Sequence, residues 1–62
     1  MADAGTRELV HDLRSPLAIV DGFAGLLAGD ELEPEKRIEY ARRIRDAAAE
    51  MRALLDATRP SA

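Results

Sequence analysis

A chain of 62 residues, 47% hydrophobic and 34% charged, is one small domain at most, and a helical hairpin of that size cannot bury enough apolar surface by itself to offset its ordering entropy. A net charge of −3 with one Tyr and one Phe supplies neither the basic field nor the stacking platform that nucleic acid requires, which argues against a small RNA-binding hairpin. Without cysteine there is no disulfide framework, a single histidine suggests no zinc cluster, and no apolar run or basic leader marks a membrane span or signal, so the chain as given reads as soluble and cytoplasmic.

The first predicted element is a helix over about 4–28. Its apolar positions Leu9, Leu13, Pro16, Val20, Phe23 and Leu27 advance by alternating steps of four and three, the a/d seam of a heptad. Val10, Leu17 and Ala24 lie on one flank of that seam and Ile19 and Leu26 on the other, an apolar arc wide enough to meet two neighbouring helices. His11 falls at the f position, nearly opposite the seam, and so projects into solvent. Pro16 is an interior proline: it has no N–H for the carbonyl of Asp12, costs roughly 3 kcal/mol in a helix, and predicts a hinge one turn after His11.

Gly29 ends this helix, and Asp30 to Glu33 form a short polar connection interrupted by Leu32, giving a loop over about 29–33. Pro34 then occupies the favoured first position of a second helix, about 34–58, which stops before Pro60. Its stripe is expected at Ile38, Ala41, Ile44, Ala48, Met51, Leu55 and Thr58. Glu39 with Arg43 and Arg42 with Asp46 are i,i+4 pairs on a solvated face, and Arg42, Arg43 and Arg45 are available to an acidic partner. A short loop makes the two helices antiparallel neighbours, so the expected fold is all-α: an antiparallel two-helix hairpin over 1–62 that homodimerises into a four-helix bundle.

The chemistry concentrates in His11-Asp12-Leu13-Arg14-Ser15-Pro16-Leu17. An imidazole is a competent nucleophile near neutral pH, and a neighbouring carboxylate holds the other ring proton and steadies developing positive charge. Asp12 lies about 100° round the helix from His11 and must reach by rotamer or distortion, whereas Arg14 and Ser15, at i+3 and i+4, share its face. Ser15, Ala18, Gly22, Gly25 and Gly29 fall within about 40° of the same direction, a strip of very small side chains.

This string resembles the H-box of the dimerisation and phosphoacceptor domain of sensor histidine kinases, His-Asp/Glu-Leu-Arg-Ser/Thr-Pro-Leu, at all seven positions. The resemblance implies that His11 accepts the γ-phosphoryl group of ATP and passes it to an aspartate of a response regulator, with Asp12 as acid/base partner; Arg14 and Ser15, on His11's own face, are then well placed to contact the incoming phosphoryl group. Ser15 stands where phosphatase-competent members carry Thr or Asn, and its hydroxyl is able to orient a water. The strip of small residues at Ala18, Gly22 and Gly25 is expected to let a partner's helix approach closely beneath His11, as the receiver domain of a response regulator does in that family. With no Gly-rich phosphate loop and no second domain, the chain binds no cofactor of its own. ATP is expected to come through a separate histidine kinase catalytic domain, making the chain a substrate and relay rather than a complete kinase. It fits either a piece of a larger sensor kinase or a free-standing phosphotransfer protein. The alternative is a non-catalytic dimerisation or docking module that inhibits or scaffolds a kinase or regulator, with His11 unused.

Overall fold

The computed structural model describes residues 4–29 and 31–58, and among them the chain is two α-helices with no strand, α1 (Ala4–Ala28) and α2 (Pro34–Ala57). Asp30, within the expected connection, and Pro60, the expected stop, lie outside the described residues.

The seam of α1 faces α2 as its spacing dictates. Leu9, Leu13, Val20, Phe23 and Leu27 are half-buried, and Pro16 is fully buried. The helix runs unbroken through Pro16. A proline that leaves the carbonyl of Asp12 without an i+4 donor is therefore a packing residue, its ring one of the two most enclosed side chains in the hairpin. At its C-terminus α1 closes with the Gly29 N–H donating to the carbonyl of Leu26 at 3.3 Å, an i→i−3 bond made without a left-handed glycine.

Glu33 precedes α2 in an extended conformation (φ −65°, ψ 146°), the geometry a following proline imposes. Its carbonyl accepts from the N–H of Arg37 at 3.0 Å, so the helix starts cleanly without a side-chain cap. At the far end the hydroxyl of Thr58 donates to the carbonyl of Leu55 at 2.8 Å, satisfying one of the last orphan acceptors.

The inward stripe of α2 differs from the expected one. Tyr40, Ile44, Ala47, Met51 and Leu54 face α1, with Ala47 4% exposed, while Ile38, Ala41, Ala48, Leu55 and Thr58 are exposed. Both stripes share Ile44 and Met51, and periodicity alone does not separate two rows that cross at common residues. The choice falls to packing: Tyr40 meets Phe23 ring to ring, centroids 5.1 Å apart. Seven residues before Phe23 is Pro16 and seven after Tyr40 is Ala47, so the fully buried proline ring of α1 comes level with a side chain small enough to accept it.

The charged pairs are also corrected. Among the described residues the ion pair on α2 is Lys36 with Glu39 at 3.8 Å, an exposed i,i+3 contact, in place of Glu39–Arg43 and Arg42–Asp46. Exposed pairs of this kind contribute little, so side-chain entropy and solvent decide which form.

Candidate functional site

Because α1 buries the row from Leu9 to Leu27, the opposite row is turned outward, and His11 is fully on it. His11, Asp12, Arg14 and Ser15 are all exposed, and among the described residues none of them is held by a hydrogen bond or ion pair. The imidazole is thus presented free, one residue before the carbonyl that Pro16 leaves without a helical donor. Asp12 stands about 100° away round the helix, and Arg14 and Ser15 lie on His11's own face one turn further on. The structure brings these residues onto one turn of helix without joining them to one another, an arrangement suited to an incoming group that supplies the missing contacts.

Below His11 the small strip is open. Ala18, Gly22 and Gly25 are exposed, and a Cβ built at Gly22 or Gly25 would meet nothing within 4 Å. Ala18 borders two shallow grooves. One, of about 440 Å³, is lined by Arg14, Leu17, Ala18 and Asp21. The other, of about 230 Å³, is lined by Ala18, Ile19, Gly22, Phe23 and Leu26 and is almost wholly apolar. Asp21 has no place in the sequence reading, and Leu17 enters it only on the apolar flank of the seam and as the last residue of the His11 string. Their i+3 and i+7 spacing from Arg14 is the signal that marks them.

The family model that matches is HisKA, the His Kinase A (phospho-acceptor) domain, over residues 6–59. The chain belongs to this family. Comparison with curated proteins and with solved structures finds no match. As a His Kinase A domain, the hairpin is a phosphoacceptor and dimerisation module of two-component signal transduction, set in the context of a histidine kinase. Among the described residues of this His Kinase A hairpin, no helix is long and apolar enough to cross a membrane.

Proposed function

We propose that His11 is the phosphoacceptor of this module and that the turn His11–Ser15 is its chemical site. The observation that carries the proposal is the placement of His11: exposed, unpartnered among the described residues, and turned away from the seam that holds the hairpin together. One ring nitrogen of His11 attacks the γ-phosphorus of ATP held by a separate histidine kinase catalytic domain. The N–P bond forms as the bridging P–O bond breaks and ADP departs. The proton on the other ring nitrogen passes to the carboxylate of Asp12, which leaves a neutral phosphoimidazole. Arg14, on the same face, contacts the phosphoryl oxygens.

The second transfer reverses the bond changes at His11. A carboxylate oxygen of the receiver aspartate attacks phosphorus, the N–P bond breaks, and the ring recovers its proton. Ser15 is the position from which a hydroxyl orients a water for hydrolysis of the regulator's phosphate. Pro16 leaves the backbone at Asp12 one hydrogen bond short and so easier to deform as His11 meets its two partners in turn. Ala18, Gly22 and Gly25 form the surface on which the receiver domain docks. The working unit is a homodimer, two hairpins in a four-helix bundle in the cytoplasm, because the exposed apolar residues of one hairpin require cover.

The test is incubation of the chain with ATP and a histidine kinase catalytic domain, followed by intact-mass and acid-lability analysis, with His11→Gln as control. Acid-labile phosphate on the parent chain and none on the control is the expected result. No phosphate on a sample shown to be a folded dimer would overturn the relay function and leave a docking or inhibitory module.

A further inference from the structure

The charges around His11 are sorted by sign. At about 100° per residue, Arg7 and Arg14 lie about 40° and 60° to one side of His11 on the helical wheel, and Glu8 and Asp12 lie about 60° and 100° to the other. All five side chains are exposed. Because α2 packs against the opposite face of α1, the charged neighbours of the ring among the described residues of the hairpin stand on α1 itself. Side chains of a helix lean toward its N-terminus, so the imidazole overhangs the turn that carries Arg7, while Arg14 leans back toward His11 from the turn below. The ring therefore stands between two guanidinia.

Arg7 and Arg14 are the basic side chains of α1, and neither is engaged. Among the described residues, which do not include Asp3, neither has a carboxylate three or four places away and no ion pair holds either. His11 is the one ionisable residue at that spacing from both. On α2, by contrast, every basic residue except Arg45 stands three or four places from a carboxylate. A phosphoryl group on the ring adds about two negative charges and three acceptor oxygens at this point. A single guanidinium grips two oxygens in its bidentate geometry, which leaves the third for another donor. Repulsion from Glu8 and Asp12 turns the group toward the arginines.

We propose that Arg7 is a second phosphoryl-binding residue, gripping the group on His11 from the turn above as Arg14 does from the turn below. This rests on His11 as the phosphoacceptor proposed above and adds a residue outside the His11–Leu17 string. Phosphoramidate tests it without a kinase, since a ring nitrogen takes its phosphoryl group and ammonia leaves, and the chain has one histidine to load. The loaded parent, Arg7→Ala, Arg7→Lys and the charge-matched control Arg37→Ala are titrated by phosphorus NMR, with circular dichroism to verify the helices. Guanidinia beside the phosphoryl group favour its dianion, so its second ionisation should move to higher pH by about 0.2–0.7 pH units in Arg7→Ala. Arg7→Lys should recover part of the difference, and Arg37→Ala, altered in the first turn of α2, should titrate as the parent does. A titration of Arg7→Ala that superimposes on the parent's overturns the contact and leaves His11 standing as phosphoacceptor. An equal rise in Arg37→Ala overturns it too, because net charge alone would then account for the effect. A chain that phosphoramidate loads but no catalytic domain with ATP does overturns the relay, and the Arg7 contact still stands or falls by the titration.

Discussion

The ring of Phe23 lies against that of Tyr40 with centroids 5.1 Å apart and planes inclined at 44°, so the only phenylalanine and the only tyrosine of the chain pin α1 to α2 near the loop. Tilted aromatic pairs contribute about 0.5–1.5 kcal/mol beyond their buried area. A double-mutant cycle of Phe23→Leu and Tyr40→Leu, followed by urea unfolding, should return a coupling energy in that range. Additive losses would mean that the rings are neighbours without mutual stabilisation.

Ala47 is the tightest point of the interface on α2, level with the buried ring of Pro16. Ala47→Leu should push the helices apart and cost about 1–3 kcal/mol, as overpacking does. Ala49→Leu, two residues on and exposed, should stay within about 0.5 kcal/mol of the parent. Equal effects at the two positions in thermal or urea unfolding would contradict the inward stripe through Tyr40, Ile44, Ala47, Met51 and Leu54.

Gly22 and Gly25 weaken α1 where nothing in the hairpin demands glycine. Since a Cβ at either position enters open space, Gly22→Ala and Gly25→Ala should each stabilise the helix by about 0.8–1.0 kcal/mol and raise the melting temperature by several degrees. The larger changes Gly22→Leu and Gly25→Leu should leave phosphate acceptance by His11 intact and slow its onward transfer to a receiver domain. Transfer at the parent rate would remove the docking role of the strip.

Asp12 is exposed and makes no ion pair among the described residues, so Asp12→Asn should not disturb the fold. Loss of a positioned proton acceptor typically costs about 10²–10⁴-fold in rate, and phosphate acceptance at His11 should fall by that order while circular dichroism stays unchanged. An unaltered rate would exclude Asp12 from the proton transfer.

How far the sequence carried these features depended on the helix. On α1 the row Leu9, Leu13, Pro16, Val20, Phe23 and Leu27 alternates steps of four and three without a gap, and all six residues are withdrawn from solvent. His11 was legible for the same reason, since a helix with one clear inner row has one clear outer row. On α2 alanine is frequent enough that a second row through Ala41 and Ala48 matched as well as the true one through Tyr40 and Ala47. The contact of Tyr40 with Phe23 separates them, and that is a contact between helices rather than a pattern within one. Its trace in the sequence is the nearly equal distance of the two aromatics from the loop, visible once the chain is folded back on itself. The side chains of the His11 turn were legible as a set, while their freedom from one another needed the structure.

The hairpin's dimensions of 46 × 23 × 11 Å make it a plate barely thicker than a single helix. A plate has two skins and almost no filling, so each turn of α1 carries a residue that holds the hairpin together and, back to back with it, one that an outside molecule can touch. Leu13 and His11, or Val20 and Ala18, answer to separate demands although they are wound on the same backbone. Changes on the outer skin can accumulate without loosening the inner one. Such a chain is free to drift from one signalling partner to another while its two helices remain joined along the same seam.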